Sequence, residues 1–249
     1  MTSNHPGSAD HSAIRPAAGL VLAGVVLSVA AGLLHPDQQP ANDHPAVFAE
    51  YAASTDWTAV HLGQFVGMAV FIAGLAALYP ALGLRPGGLR WLGRFGLVAA
   101  GAALALYGVL QAVDGVALKQ AVDAWAAAPA AQKPLRFTAA ETVRWLEWGV
   151  RSYQSFLLGL ALVLLGAAAA GGRRIPPGVG LLMGLSGVAW QAQGWIIGAQ
   201  GFAPANQLPT LAGLVLTIGW SLWLLGAALQ RPRPLRPRGP SAGSSGKGP

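Results

Sequence analysis

"FTAAETVRWLEWGVRSYQSFLLGLALVLLG", residues 137–166, joins two kinds of helix without a break. Its second half is apolar enough to be membrane interior. Its first half sets Glu141, Arg144, Glu147 and Arg151 at helical spacing. Thr138 and Glu141 form a T-x-x-E capping pair, which predicts a helix start near Thr138. From there to Ala170 an α-helix runs about 50 Å, against a hydrocarbon core of about 30 Å. The excess must stand beyond the membrane, with Trp145 and Trp148 at the height of an interfacial aromatic belt.

The rest of the chain fits the same solvent. Its 249 residues are 53% hydrophobic and only 10% charged, far below the roughly 25% charged content of soluble domains. The polar residues cluster, leaving six apolar blocks near the length of a spanning helix. These are Ala17–Leu34, Thr58–Leu78, Trp91–Val113, Gly149–Ala170, Val179–Gly198 and Pro209–Leu229. The expected fold is all-α, a polytopic bundle of six transmembrane helices. Residues 1–16 form a cytoplasmic N-terminal segment, 17–230 the transmembrane domain and 231–249 a disordered basic cytoplasmic tail. Arg15 and the small residues of "SVAAG" would also suit a cleaved leader. The first block is longer than the usual 7–15 residue signal core, however, so it is read as a span.

Charge sorting sets the orientation. With the N-terminus cytoplasmic, inner segments hold eleven basic residues, among them Arg15, Arg85, Arg90, Arg94, Arg173 and Arg174, against Asp10 alone. Outer segments hold five basic residues and eight acids. This is the positive-inside pattern of a plasma-membrane protein with both termini inside. The net charge of +7 therefore needs no nucleic acid to explain it, and the expected partner is the lipid bilayer. A small solute, a second copy of the chain or a membrane subunit are compatible further partners.

After Val113 the third span continues as "DGVALKQAVDAWAAAP", with Leu118, Ala121, Val122 and Trp125 on one face. Spans three and four then read as an antiparallel hairpin extended on the outer side, turning at "PAAQKP". A turn centre near residues 132–133 pairs Asp114 with Arg151, Lys119 with Glu147, and Asp123 with Arg144, a ladder of opposite charges. Ahead of it, Val47, Phe48 and Tyr51 form a short amphipathic turn expected to rest on the membrane surface.

Inside the spans, His61 with Gln64, Gln111 with Asp114, and Arg151 with Gln154 are i, i+3 pairs that each share a helix face. With Gln191 they gather in the outer halves of the helices. The grouping suits either an outward-facing pocket or interhelical hydrogen bonds. Gly63-x3-Gly67, Gly180-x3-Gly184 and Gly194-x3-Gly198 are expected packing faces.

The absence of cysteine removes disulfides, thiolate metal sites and thiol nucleophiles. No catalytic motif is present, and no cofactor is expected. His35, Asp37 and His44 in the first outer loop offer metal-ligand chemistry without a recognised spacing. A haem would need His35 and His61 to face each other.

"DWTAVHLGQFVGM" and "AVDGVALKQAVDAW…VRWLEWGVRSYQ" resemble bacterial multi-pass membrane proteins of the domain-of-unknown-function kind. The resemblance implies six helices and no assigned activity, so it transfers no functional residue. Three functional readings remain. The first is a protein that binds, senses or moves a small solute. The second is a metal- or haem-dependent enzyme or redox protein using His61, His35 or His44. The third is an assembly subunit without a pocket.

Overall fold

The computed structural model describes residues 9–36 and 38–230. The tail 231–249, the first eight residues and Asp37 lie outside them. The described chain is helical, with α1 (Ala9–Leu33), α2 (His44–Ala53), α3 (Trp57–Ala81) and α4 (Gly88–Ala112) in its first half. A π-helical segment (Val113–Leu118) leads into α5 (Lys119–Ala126). Then come α6 (Lys133–Ala170), α7 (Pro177–Gln200), a 3-10 turn (Pro204–Asn206) and α8 (Gln207–Leu229).

Five helical segments are long and apolar enough to cross a membrane. They are Ala13–Leu33, Trp57–Ala81, Gly88–Ala126, Lys133–Ala170 and Pro204–Leu229. The sixth expected block is the 24-residue helix α7, about 36 Å long. Gln191, Gln193 and Gln200 interrupt its apolar run, and it is not among those five. Each of the six blocks thus lies in one long helix. α1 begins ahead of the expected residue 17 and holds Pro16 inside it.

The long helices pack as a closed ring. α1 lies on α3, α3 on α4, α4 on α6, α6 on α7, α7 on α8, and α8 returns to α1. Small residues bring the backbones together, as membrane helices without a hydrophobic driving force between them require. A Cβ on Gly67 would stand 2.5 Å from Ser28 Oγ, one on Gly180 2.4 Å from Ala170 N, and one on Gly194 2.8 Å from Ser152 O. The expected small-residue faces are packing faces. Leucines and valines such as Val98, Leu181 and Leu208 point out from the ring, where lipid can cover them.

The two ends of the ring differ. The lower end carries Arg85, Arg173 and Arg174 in its two connections, with Arg90 and Arg94 in the first turns of α4. There the Arg15 Nε donates to Ala228 O at 2.9 Å, and an Arg174 Nη donates to Ala81 O at 3.1 Å. Both meet carbonyls at helix C-termini, where a cation is favoured.

The upper end holds a second, smaller core. Val47 and Phe48 of α2 are fully buried with Leu118, Val122 and Ala140, flanked by Trp125 and Phe137. α2 is therefore packed into protein rather than laid on a membrane surface, because its apolar face finds α5 and α6 first. Asp43 caps it, accepting from the Ala46 N–H at 3.4 Å.

Helix α6 begins at Lys133, five residues before the expected cap. Pro134 accounts for this, since proline in a first turn loses no hydrogen bond and carries a helical φ. Thr138 instead donates to Pro134 O at 3.2 Å, inside the helix. Trp145 is exposed as an interfacial residue would be, but Trp148 turns inward against Gly201 and Phe202.

Candidate functional site

The ring encloses a cavity of about 990 Å³ that opens among the upper loops, residues 35–42 and 202–207. Along α6 it runs from Arg144 to Leu162, about 27 Å at 1.5 Å per residue. Its floor is apolar, formed by Val25, Met68, Phe71, Leu158, Leu162 and Leu214. Its upper wall is polar. Of the seven expected pocket residues, Gln64, Gln111, Asp114, Arg151 and Gln154 line it.

The other two do not. His61 is 1% exposed and stands behind Asp114, with Nε2 3.0 Å from Asp114 Oδ2. Gln191 lies over Gly159, where α6 and α7 cross. Gln193, one face further round α7, reaches the cavity instead, accepting from Ser155 Oγ at 3.0 Å and donating to Thr210 Oγ1 at 2.9 Å. Asn206 before α8 and Thr210 and Thr217 on it also line the cavity. Sequence reading missed these three, since single polar residues in a hydrophobic run mark a helix face only when a second lies three or four positions away. Asn206 and Thr210 do stand four apart, and that signal was available.

The charge ladder forms differently from expectation. Lys119 Nζ pairs with Asp123 on its own helix at 2.7 Å and donates to the carbonyls of Tyr51 and Ala52 at 3.2 and 3.0 Å. Arg144 pairs with Glu147 one turn along α6. Asp114 meets His61, and Arg151 has no carboxylate within 4 Å among the described residues. The physical reason is α2. Its last carbonyls draw Lys119 away, and α6 is rotated so that Arg144 and Glu147 face inward, each about 2% exposed.

The Arg144 guanidinium sits 5.5 Å from the Tyr51 ring and 4.9 Å from the Phe202 ring, and it donates to Ala41 O at 3.3 Å. Gly201, with φ +66, ends α7 and makes the turn that brings Phe202 there. Burial pushes the Tyr51 hydroxyl above its ordinary value, so it stays protonated.

The upper wall therefore has a definite balance of charge. Glu147 is taken by Arg144, and Asp114 by His61. Glu50 accepts the backbone N–H groups of Gln38 and Gln39 at 2.9 and 3.2 Å. Arg151 is left as a cation facing the cavity without a counter-charge. Beside it, Gln154 Nε2 and Gln111 Oε1 are buried with no hydrogen-bond partner among the described residues.

Asp114 reaches the wall through the π-helical segment. Gly115 lets that wider turn approach α3, since a Cβ there would stand 2.6 Å from His61 Cβ. Trp57 Nε1 donates to Asp114 O at 2.8 Å, and Thr58 Oγ1 donates to Gly115 O at 3.0 Å. Single π turns inside α-helices are frequent at functional sites.

His35 closes the group, its ring centroid 5.2 Å from that of His61. Burial pushes its imidazole below the ordinary value and so favours the neutral ring. His35, His61 and Asp114 offer ligand atoms that all lie within 4.8 Å of one another. The two imidazoles are edge to face, at 61°, which leaves no slot for a porphyrin between them. His44 is elsewhere, bonded through Nδ1 to Glu141 at 2.9 Å and stacked on Phe48.

Comparison of the chain with protein-family models, curated proteins and solved structures gave no match.

Proposed function

We propose that the protein is a six-span membrane protein that binds, senses or moves a small amphipathic solute, taken up through its upper end. In this reading all six long helices cross the bilayer, both termini are cytoplasmic, and the α5–α6 hairpin stands outside with α2 docked on it. The arginines of the lower connections support that orientation. Gln191 and Gln193 of α7 pack against protein and Gln200 stands at the helix end, which lets a less apolar helix span.

One observation carries the solute reading. An uncompensated cation, Arg151, stands beside the unpartnered Gln154 Nε2 above an apolar floor, in a cavity of about 990 Å³. An arginine beside a free amide N–H recognises a carboxylate or similar anion through directed N–H bonds. The floor takes an alkyl or aromatic body. A cavity of this size is at the upper end of the range that holds small organic ligands.

The test is thermal stability in amphipol, where no detergent competes for the cavity. Medium-chain carboxylates should raise the melting temperature, because a ligand at about 100 times its Kd stabilises by about 2.7 kcal/mol. Matched alkylammonium ions should not. Arg151→Gln should abolish the carboxylate effect while melting near the parent in the absence of solute. Equal stabilisation by both head groups, or a response surviving in Arg151→Gln, would remove the anionic-solute reading.

A further inference from the structure

We propose that His35, His61 and Asp114 form a binding site for one divalent first-row transition ion, with an open coordination position facing the cavity. The site is independent of the solute reading, since it uses neither Arg151 nor the apolar floor.

His61 holds a ring proton at Nδ1. Its Nδ1 lies 2.7 Å from the Trp57 carbonyl oxygen. A carbonyl only accepts, so Nδ1 carries the proton and the neutral ring presents a bare lone pair at Nε2. That lone pair stands 3.0 Å from Asp114 Oδ2. Two electron-pair donors at this distance in a buried place repel unless a cation lies with them.

A second ring proton is one such cation and a metal ion in its place is another. Nε2 makes no well-aligned hydrogen bond to Oδ2, and Asp114 Oδ1 has no partner among the described residues. A metal ion bonds to both donors from one side and needs no line between them.

The surroundings match a metal site in three further ways. The imidazole of His35 supplies a third donor, all three ligand atoms lying within 4.8 Å of one another. Ligand bonds of about 2.0–2.2 Å place tetrahedral donors about 3.4 Å apart. His35 follows the end of α1, so the spacing can close by movement of one side chain. The Nδ1–H bond from His61 to a backbone carbonyl is the outer-shell contact that fixes the tautomer of ligating histidines. The π turn, held by Trp57 and Thr58, fixes Asp114 in place. Two imidazoles and one carboxylate suit zinc or ferrous iron. Since His35 and Asp114 line the cavity, a bound ion presents its free position there.

The test uses full-length protein purified on a tag without histidine, stripped with chelator and titrated with Co2+. The expected result is one equivalent bound, with the visible bands of a low-coordinate Co2+ site displaced by Zn2+. His35→Gln and Asp114→Asn, both conservative in size, should each weaken binding by about tenfold or more. His44→Gln should leave it unchanged. Nitrogen NMR of the imidazoles provides a second readout that survives a poorly folding variant. It should show the His61 Nε2 resonance shifting when Zn2+ is added, with Nδ1 still protonated. No stoichiometric Co2+, an unshifted Nε2 on adding Zn2+, or binding retained in both ligand variants would overturn the proposal.

Discussion

Arg144→Met should lower the melting temperature of the purified protein by about 10 °C, among the largest effects of any single side-chain change in the chain. The replacement removes the only ionic partner that Glu147 has among the described residues, and Glu147 is 2% exposed. Breaking a buried pair from one side costs about 3–5 kcal/mol, because the remaining charge stays buried without compensation. For a chain of this size each kcal/mol shifts the melting temperature by about 2–4 °C. Arg144 also loses its place against Tyr51 and Phe202 and its bond to Ala41 O. Glu147→Leu should be nearly as harmful, leaving the guanidinium as the orphan. The double variant Arg144→Met with Glu147→Leu should melt well above either single, since two apolar residues leave no buried charge. A double variant as damaged as the sum of the singles would mean that the two side chains act separately. The pairing would then be wrong.

A second large effect is expected where α1 crosses α3. A Cβ on Gly24 would stand 2.3 Å from Phe71 N and 2.6 Å from Phe71 Cα. Both are backbone atoms, so no rotamer relieves the contact and the helices must part. Gly24→Ala should therefore cost about 1–3 kcal/mol or more through overpacking. Gly19, one and a half turns earlier on α1, has nothing within 4 Å of the corresponding position. Gly19→Ala should be neutral or slightly stabilising, since alanine is the better helix former. Thermal melts of the two variants side by side check the crossing, and equal stability would contradict it.

Much of this architecture is legible in the sequence, for a physical reason. A membrane helix must satisfy its own backbone, so each span is announced by one long apolar block. All six blocks became long helices, and the glycine pairs became their contacts. The pocket residues at i, i+3 spacing were legible too, because two polar residues on one helix face have few places to go. What failed depends on helix rotation and on distant chain. The ladder assumed that charges at equal height would meet. Arg144 and Glu147 instead face inward together, and α2 takes Lys119. Nothing in "HPAVFAEYAA" tells a membrane surface from a protein groove, because both reward the same apolar face. The π turn has no periodicity of its own over six residues. His35 sits in a loop 26 positions before His61, and only the α1–α3 crossing brings them together.

The central claim is that the polar cavity is reached from outside the cell. The chain contains no cysteine, so single cysteines can be placed and labelled in intact cells with a membrane-impermeant thiol reagent. Asn42→Cys reports the upper loops, Gly87→Cys the lower connection, Gln154→Cys and Gln64→Cys the cavity wall, and Leu222→Cys the exposed face of α8. The account predicts labelling at 42, 64 and 154, with 87 labelled only after permeabilisation and 222 not at all. Labelling at 87 but not at 42 would invert the protein in the membrane. Labelling at 42 with 64 and 154 unreactive would mean that no outward path to the cavity exists.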